Sequence, residues 1–359
     1  MSSLVVAPAW IGDMVMAHCL VQGIHRAEPD APIHLLAPPA TAPIGTRMAE
    51  VAQVHTLDIG HGEFGLGKRW RVGRALARHG FARCYVLPNS WKSALVPFFA
   101  RIPRRSGWLG EARWGLLNDT QHLPSERLPL MIERFMALQD IARYTSSGQE
   151  SALATPHPNP LLQIDGQRQQ ELLNSFKLDT MGGAVALCPG AEFGQAKRWP
   201  AEHFASVAAS LVTAGRQVWL LGGPADAPVC SAIAQSVRAH SQALPDNVLV
   251  NLAGQTMLTD AVDLLAAAVA VVCNDSGLMH LASAVNTPAI ALYGSTSPGF
   301  TPPLHKDAIA LTLVTLDDGA NKLACQPCFE RECQFGHGDC LRLLTPQQVE
   351  AALGNLGLL

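Results

Sequence analysis

Short runs of apolar residues alternate with amphipathic stretches along most of the chain. The runs typical of strands are "SLVVAP", "PIHLLAP", "VHTLDI", "ARCYVLP", "GAVALCPG", "QVWLLGG", "NVLVNLAG", "VAVVCND" and "PAIALYG". Between them, the stretches 14–26, 72–80, 200–214 and 259–268 carry apolar residues at helical spacing. Strands that alternate with helices in this way predict an α/β protein built from βα units around parallel sheets.

The alternation is interrupted at residues 145–165, where Ser, Pro and Gly accumulate. Such a composition is typical of a connection between domains. A chain of 359 residues is long for one domain and sufficient for two. We therefore expect one α/β domain over residues 1–165 and a second that begins at residue 166.

The two parts of the chain differ in charge. Residues 1–150 contain 16 Lys and Arg against 12 Asp and Glu, whereas residues 151–359 contain 10 against 17. Residues 68–113 alone contain eleven basic residues and a single acidic one, Glu111. This asymmetry suggests that the two domains bind different ligands.

The sequence shows neither the pattern of a signal peptide nor that of a membrane span. The opening "MSSLVVAPAW" lacks a basic region, and no stretch approaches the roughly 18 to 20 apolar residues that a span requires. We expect a soluble, cytosolic protein.

In open α/β domains, ligands bind beyond the carboxyl ends of the strands, where loops lead into helices. After the first strand, "APAWIGDMVMA" places Asp13 where a helix N-cap is expected. This carboxylate either only caps the helix or also acts as a general base. Trp10 and Ile11 are unusual in a solvated loop and favour the second interpretation.

Two loops of the second domain carry polar residues after strands. In "PGAEFGQAKRWP", Gly190 shapes the loop, and Lys197 and Arg198 precede a helix. They are either solvated cations or charges that compensate a phosphate beside helix N-terminal amides. In "GGPAD", Asp226 either accepts hydrogen bonds from ribose hydroxyls or begins a helix.

The stretch "NDSGLMH" ends the strand "VAVVC" and opens a helix. Asn274, Ser276 and Gly277 offer small polar groups and free N–H groups at the helix N-terminus, which favours an anion. Asp275 would repel a bare phosphate, so the stretch fits a nucleotide diphosphate together with its sugar. His280 lies one turn further on and is predicted to face the same site.

Other nucleotide motifs fail on their details. "GHGEFG" at residues 60–65 lacks the acidic residue that a dinucleotide site needs about 20 positions later. "GEFGLGKR" at residues 62–69 has Arg69 where a phosphate-binding loop needs Ser or Thr. A G-x-S-x-G nucleophile motif is absent from the sequence. The glycines instead predict a mobile loop that carries Lys68, Arg69, Arg71 and Arg74.

Four long motifs resemble those of one enzyme family. "PAWIGDMVMAH", "YVLPNSWKSALVPFFARIPRRSGWLGEARWGLLND", "CPGAEFGQAKRWP" and "NDSGLMHLASAVNTPAIALYGSTSPGFTPPL" are similar to motifs of the ADP-heptose:lipopolysaccharide heptosyltransferases, glycosyltransferase family 9. The resemblance extends from the first strand to about Leu304. It implies a GT-B fold, in which two Rossmann-like domains face each other across a cleft. Residues 1–165 would bind the acceptor and residues 166–340 the nucleotide sugar, while residues 341–359 would form a helix that packs back on the first domain.

The resemblance also implies the reaction and the residues that perform it. The expected reaction is an inverting, metal-independent transfer of heptose from ADP-heptose to the first heptose of the lipopolysaccharide inner core. Asp13 matches the candidate base of the family. Lys197, Asp275 and His280 match nucleotide-site residues, and Met257 matches a residue near the adenine. No cofactor is required, and the enzyme is expected to be a monomer that does not bind nucleic acid.

An anionic acceptor would explain the basic stretch at residues 68–113. The inner core carries carboxylates and phosphates, which suit a cationic platform, as does the anionic inner face of the cytoplasmic membrane. A solvated basic face is the alternative. The candidate acceptor residues are Lys68, Arg69, Arg71, Arg74, Asn89, Ser90, Lys92, Arg104 and Arg105. We expect the protein to lie in the cytoplasm, peripherally on the inner membrane.

Two other functions remain open at this stage. The chain is either another heptosyltransferase, which adds the first or a peripheral heptose, or a non-catalytic protein that binds nucleotide sugar or lipopolysaccharide on the same fold. A pure binding protein would not require Asp13.

The segment "CQPCFERECQFGHGDC" departs from the family pattern. It contains Cys325, Cys328, Cys333 and Cys340, together with His337, and C-x2-C is a metal-type spacing. A structural zinc, free thiols and disulfides are the alternatives, and a reducing cytosol disfavours the last. We expect no catalytic metal.

Overall fold

The computed structural model describes residues 2–60, 63–144, 158–240, 245, 247–313 and 323–359. Contacts divide the chain into two compact units, Met1–Gln163 and Ile164–Leu359. The predicted boundary after residue 165 lies two residues from this division. Residues 145–157 of the predicted connection lie outside the described residues. Its last part packs on the first unit, where the Gln163 N–H donates to the Arg47 carbonyl at 2.7 Å.

The first unit contains a six-stranded parallel sheet in the order β3-β2-β1-β4-β5-β6. Its strands are β1 (Ser3–Val6), β2 (Ile33–Ala37), β3 (Val51–Thr56), β4 (Arg83–Val86), β5 (Arg104–Trp108) and β6 (Asp119–Gln121). Its helices are α1 (Ile11–Ala27), α2 (Ala42–Gly45), α3 (Leu66–Leu76), α4 (Leu95–Phe99) and α5 (Met131–Met136).

The second unit contains a parallel sheet of the same size, in the order β12-β11-β10-β7-β8-β9. Its strands are β7 (Val185–Cys188), β8 (Val218–Leu220), β9 (Leu249–Asn251), β10 (Ala270–Asn274), β11 (Ala289–Leu292) and β12 (Ile309–Leu311). Its helices are α6 (Gly166–Ser175), α7 (Ala201–Thr213), α8 (Ala227–His240), α9 (Leu258–Ala267), α10 (Gly277–Ala284), α11 (Asp339–Arg342) and α12 (Pro346–Asn355).

Both sheets reverse their strand order beside their first strand. β1 pairs with β2 on one side and β4 on the other, and β7 pairs with β8 and β10. The loops that follow β1 and β4, or β7 and β10, therefore diverge to opposite faces and leave a crevice at the carboxyl edge. The predicted α/β class, with two Rossmann-like units, is confirmed.

The central strands are fully buried. All four residues of β1 and of β7 are inaccessible, as parallel strands covered on both faces should be. In the second unit, Leu187 packs in one core with Phe204 of α7 and Leu353 of α12. This core fixes the strand ends from which the polar loops emerge.

The C-terminal helix α12 packs within the second unit. It contacts α7 and β11, and the Ser210 hydroxyl donates to Glu350 at 2.6 Å. The Trp199 indole N–H donates to the Leu344 carbonyl at 2.8 Å just before α12. The apolar side of this helix, including Val349, completes the core of the second unit. The return of residues 341–359 to the first domain, which the resemblance implied, stays a prediction.

Candidate functional site

The polar loops of the second unit meet where the sheet reverses its order, between β7 and β10. Cys188 and Cys273 are paired across these strands, so Pro189 and Gly190 lie beside Asn274 and the residues that follow it. Asn274 ties the loops together. Its amide donates to the carbonyls of Pro189 at 2.8 Å and Gly190 at 3.4 Å, and its oxygen accepts the Trp199 N–H at 3.0 Å.

These bonds change the interpretation of Asn274. Its side chain is completely buried and is occupied by three backbone partners. It therefore holds the β7–α7 loop against β10, and its side chain has little left to offer a ligand. The sequence alone placed it among the ligand-binding residues because it could not show that burial.

A buried ion pair forms the centre of the site. The Lys197 ammonium lies 2.7 Å from Oδ2 of Asp275, with the side chains 13% and 4% exposed. The Thr296 hydroxyl donates to the same carboxylate oxygen at 2.6 Å. Lys197 belongs to a short 3-10 helix, Gln195–Lys197, and Asp275 follows β10 directly. Lys197 therefore compensates the charge of the buried Asp275 carboxylate.

Two buried polar atoms next to Asp275 have no hydrogen-bond partner within the described residues. They are the Ser276 hydroxyl and Nδ1 of His280. Ser276 is the N-cap of α10, and His280 lies one turn into that helix. Burial lowers the pKa of His280 to about 4; Asp275 opposes this effect and Lys197 adds to it. His280 is therefore a neutral imidazole near pH 7. Buried polar atoms without partners are uncommon, and a ligand would supply them.

Gly190 and Asp226 are neighbours at the same edge. A Cβ on Gly190 would collide with the Asp226 carboxylate, so only glycine fits here. Asp226 ends the short 3-10 helix Pro224–Asp226 and accepts the Gly223 N–H at 3.0 Å. The structure thus brings together the loops after β7 and β8, and Asp226 also stabilises its own turn.

Arg198 and Met257 differ in how far they are exposed. The Arg198 side chain is partly buried and its Nε donates to the Ala191 carbonyl at 3.2 Å, within its own loop. Met257 is the N-cap of α9 and is 64% exposed, which is unusual for a large apolar side chain. Gly277 begins α10 and contributes a backbone N–H rather than a side chain.

The structure adds a neighbour that sequence reasoning missed, the cysteine-bearing segment 323–340. The Ala196 N–H donates to the Arg331 carbonyl at 3.0 Å, and the Phe329 N–H donates to the Ser295 carbonyl at 2.7 Å. Both Lys197 and Arg331 lie over the Phe193 ring, at 5.2 and 5.3 Å from its centre. Segment 323–340 therefore supports the chain on both sides of the ion pair, beside Lys197 and beside Thr296.

In the first unit, Asp13 lies in the first turn of α1. Trp10, and not Asp13, is the N-cap, and the Trp10 side chain makes no capping hydrogen bond. The N-cap expectation is therefore wrong, because the helix begins two residues earlier than Asp13. The Asp13 side chain remains partly exposed beyond the carboxyl end of β1. A carboxylate in this position also interacts favourably with the helix dipole.

The four cations of "GKRWRVGR" lie on the helix α3, so the prediction of a loop here is wrong. They are of two kinds. Arg69 is 7% exposed, and its guanidinium donates to the carbonyls of Phe64 at 2.9 Å and Lys92 at 3.1 Å. Lys68 pairs with Glu63 at 3.1 Å on the surface. Arg71 and Arg74 are exposed on α3. Arg69 is thus a structural residue that joins α3 to the β4–α4 loop.

The remaining acceptor candidates also differ in their surroundings. Lys92 and Asn89 are exposed, whereas Ser90 is half-buried and uses its carbonyl to accept the Ser93 hydroxyl. Arg104 pairs with Asp119 at 2.8 Å, and Arg105 donates from Nε to the Leu116 carbonyl at 2.6 Å.

A groove of about 650 Å³ lies between α3 and the chain that follows α4. Aromatic and basic side chains line it together: Trp70, Arg74, Phe98, Phe99, Arg101 and Arg105. Trp70 is 52% exposed and Phe98 42%. This combination of rings and cations is typical of surfaces that contact amphiphilic, anionic molecules.

Comparisons with known proteins agree with this arrangement. The family model of "Glycosyltransferase family 9 (heptosyltransferase)" matches residues 69–338. The chain belongs to this glycosyltransferase family. It is 42% identical over 358 residues to lipopolysaccharide heptosyltransferase 2 of Escherichia coli (strain K12), covering 99% of this chain and 98% of the relative. It is 43% identical over 321 residues to lipooligosaccharide heptosyltransferase 2 of Haemophilus influenzae, covering 88% and 89%.

A solved structure of the family has the same fold. The structure of E. coli ADP-heptose lipopolysaccharide heptosyltransferase II superposes with a TM-score of 0.84 at 40% identity, covering 99% of this chain and 98% of that one. The predicted GT-B class and the predicted glycosyltransferase activity are confirmed. None of the described helices is long and apolar enough to cross a membrane.

The four clustered cysteines of this family member line one cavity of about 260 Å³. Hydrogen bonds from the backbone, that of Gly338 foremost, lower the pKa of Cys333. Burial raises the pKa of Cys340 to about 11, and the other three thiols add to this. Among the described residues, however, no three of these sulfur atoms lie within 4.8 Å of one another. The cysteine cluster thus has a thiolate-stabilising turn, and zinc binding by it stays a prediction.

Proposed function

We propose that this protein transfers L-glycero-D-manno-heptose from ADP-heptose to the first heptose of the lipopolysaccharide inner core. The relatives that share 42–43% of its sequence are named as heptosyltransferases 2 that act on lipopolysaccharide or lipooligosaccharide. The observation that carries the proposal is the Lys197–Asp275 ion pair, with unpartnered Ser276 and His280 beside it. Charge compensation and open hydrogen-bond positions suit a nucleotide diphosphate and its sugar.

The donor would bind along the loops after β7, β8 and β10. Lys197 and the first amides of α10 would hold the diphosphate, since helix N-termini attract anions. Neutral His280 and Ser276 would meet hydroxyl or phosphate oxygens. Met257 offers an exposed apolar surface for the adenine. The complete donor set is Gly190, Lys197, Arg198, Asp226, Met257, Asn274, Asp275, Ser276, Gly277 and His280, with Asn274 acting through the loops it ties together.

The transfer is an inverting displacement. Asp13 removes the proton from the acceptor hydroxyl, whose oxygen bonds to the anomeric carbon as the bond to ADP breaks on the opposite face. ADP gains negative charge as it leaves, and Lys197 with backbone amides stabilises that charge, so no catalytic metal is needed. Asp13 is partly exposed beyond the carboxyl end of β1, and a general base must be accessible to the acceptor hydroxyl.

The acceptor would bind the first unit mainly through its exposed cations. Arg71, Arg74 and Lys92 are exposed and would contact its carboxylates and phosphates. Lys68 and Arg104 would have to exchange Glu63 and Asp119 for the acceptor. Arg69 and Arg105 would shape the surface from below, and Asn89 and Ser90 would border it.

We also propose that the enzyme works as a monomer at the inner face of the cytoplasmic membrane. The aromatic and basic groove beside α3 supports this location, because rings bury in the headgroup region while cations meet anionic lipids. Sedimentation with vesicles that contain anionic lipid tests it. Binding should weaken with salt and with Trp70→Ala; binding to neutral vesicles alone, or to none, would contradict it.

A structural zinc on Cys325, Cys328, Cys333 and Cys340 remains a prediction. Elemental analysis of the purified protein, with and without serine at these positions, measures it directly. One zinc per chain that disappears with the cysteines would support it. A zinc content unchanged by the substitutions would contradict this prediction.

One assay distinguishes the candidate functions. The protein is offered ADP-heptose with acceptors that carry zero, one or two heptoses. Extension of the one-heptose acceptor alone supports the proposal. Extension of either other acceptor would make the protein a heptosyltransferase for a different position, and donor binding without extension of any would make it a binding protein.

A further inference from the structure

Three histidines converge in the first unit, apart from every residue assigned above. His34 lies on β2, His55 on the edge strand β3, and His79 in the short 3-10 helix Ala77–His79 that follows α3. Among the described residues, they form the group of three possible metal ligands in which one donor atom of each lies within 4.8 Å of the other two.

The rings meet edge to edge. Nδ1 of His34 lies 2.9 Å from Nε2 of His55, and the two ring planes differ by 17°. The His79 ring stands edge-on to both, with its centre 5.0 and 5.1 Å from theirs. Phe81 packs against His34 and His79 at 5.0 and 5.4 Å. The cluster therefore has an apolar floor, while exposed His79 leaves it open to solvent.

The three imidazoles present ring nitrogens to one another. The contact between Nδ1 of His34 and Nε2 of His55 is a hydrogen bond, which uses a lone pair on one of the two rings. His79 lies outside that bond and makes the group a set of three.

The spacing suits a small divalent ion. Zinc–nitrogen bonds of about 2.0–2.1 Å place tetrahedral ligand nitrogens about 3.3 Å apart. The His34 and His55 nitrogens are 2.9 Å apart, close to this value, and the His79 nitrogen lies within 4.8 Å of both. A donor set of three neutral imidazoles without carboxylate favours Zn²⁺, Cu²⁺ or Ni²⁺ over Mg²⁺ or Ca²⁺.

We propose that His34, His55 and His79 bind a divalent transition-metal ion such as Zn²⁺, with solvent in the fourth position. Each ligand would carry its proton on its other ring nitrogen. Because His79 ends the turn that continues α3, the ion would link β2 and the edge strand β3 to the end of the helix that carries Arg71 and Arg74. Its role is to hold this edge of the first unit together, and it takes no part in the transfer.

Zinc titration of metal-free, full-length protein tests the proposal. Affinity is measured by competition with a chromogenic chelator, and Tm is followed in parallel. His79→Ala should weaken zinc binding by at least about tenfold, since loss of a ligand costs no less than loss of its supporting contact. It should also abolish the rise in Tm on adding zinc. His79 is exposed, so its removal should leave the fold intact.

The cysteine segment is a second possible source of metal binding, and cobalt distinguishes it. Co²⁺ on thiolates gives an intense charge-transfer band, whereas Co²⁺ on imidazoles gives only weak ligand-field bands. Weak bands that disappear in His55→Ala and in His79→Ala, but persist in the exposed-histidine control His122→Ala, support the site. The proposal is overturned if neither cluster variant changes zinc or cobalt binding, if Cys328→Ser alone removes all of it, or if the protein binds neither ion.

Discussion

At the scale of single residues, burial decides which candidates can meet a ligand. Asp275 is nearly inaccessible, yet it is paired with Lys197 and Thr296, so its charge is compensated. Asn274 and Arg69 were chosen from the sequence for their polarity, but the structure occupies both side chains with backbone partners. Residue type indicates the available chemistry; only packing shows whether that chemistry is already used.

Replacement of Asp13 by Asn should remove the base while keeping the shape of the side chain. We expect kcat to fall by roughly 10² or more, with ADP affinity nearly unchanged, because the donor residues lie in the other unit. Steady-state kinetics and ADP titration measure the two effects. Asp30→Asn, an exposed acid of the same unit, serves as the control. Near-normal turnover in Asp13→Asn would place the base elsewhere.

Protonation of His280 should destabilise the protein in mild acid. Its folded-state pKa of about 4 lies below the ordinary 6.5, so the unfolded chain takes up this proton first as the pH falls. Stability is full above pH 6.5 and declines towards pH 4, by about 2 kcal/mol at pH 5.

Denaturant unfolding at pH 7.5 and pH 5 measures this loss. His280→Asn should lose less stability between the two values than the wild type, whereas the exposed control His122→Asn should lose as much. An identical loss in His280→Asn and the wild type would show that His280 does not titrate in this way.

At the scale of elements, the strands with apolar runs were predictable, including the edge strands β3 and β9, whereas β5, β6 and β12 were not predicted. The apolar runs of β1, β7 and β10 are fully buried and continuous, so the pattern identified them. β5 and β6 were missed because "RRSGW" and "DTQ" are largely polar. α3 begins six residues before the predicted start because Gly65, at φ 59°, caps it without an apolar signal.

Insertion of a methyl group at Gly194 should disturb the donor site from a distance. A Cβ there would collide with the Arg331 carbonyl of segment 323–340, so one of the two chains must move. Lys197 lies three residues away. We expect the KM for ADP-heptose to rise by about tenfold, equivalent to about 1.4 kcal/mol, with acceptor KM unchanged.

Gly166→Ala is the matched control for this variant. Its Cβ would meet no atom within 4 Å at the start of α6, so both KM values should stay the same. If Gly194→Ala also leaves the donor KM unchanged, segment 323–340 does not position Lys197.

The exposed cations of α3 should act on the acceptor alone. Arg71→Ala and Arg74→Ala each remove a charge-assisted hydrogen bond worth about 1.5 to 3 kcal/mol, and so raise acceptor KM roughly 10- to 150-fold. The effect should weaken as salt rises. Arg69→Ala should instead lower Tm, because it frees two backbone carbonyls.

Arg26→Ala, an exposed cation at the end of α1, should change neither substrate's KM. Unchanged acceptor KM in both Arg71→Ala and Arg74→Ala would move the acceptor platform towards Lys92 and Arg104.

At the scale of the whole molecule, the two units share a topology and differ in charge. Two sheets of equal size and equal topology carry loops of opposite character, basic in residues 68–113 and acidic overall in the second unit. The fold could be predicted because alternating βα units impose it. The cations available to an acceptor could not be predicted, because side-chain partners, such as Glu63 for Lys68, do not follow from spacing.

Chelation should separate chemistry from stability in the intact enzyme. We expect the initial rate of transfer to be unchanged in excess EDTA, because we propose that Lys197 and the amides of α10 stabilise the leaving ADP in place of Mg²⁺. Rates with EDTA and with added Mg²⁺, on the same preparation, measure this. A slow loss of activity accompanied by zinc release and a lower Tm would point to ions held by the cysteines or by His34, His55 and His79, which act on stability. Immediate and complete loss that Mg²⁺ alone restores would contradict the assignment of Lys197, because the leaving ADP would then depend on a metal.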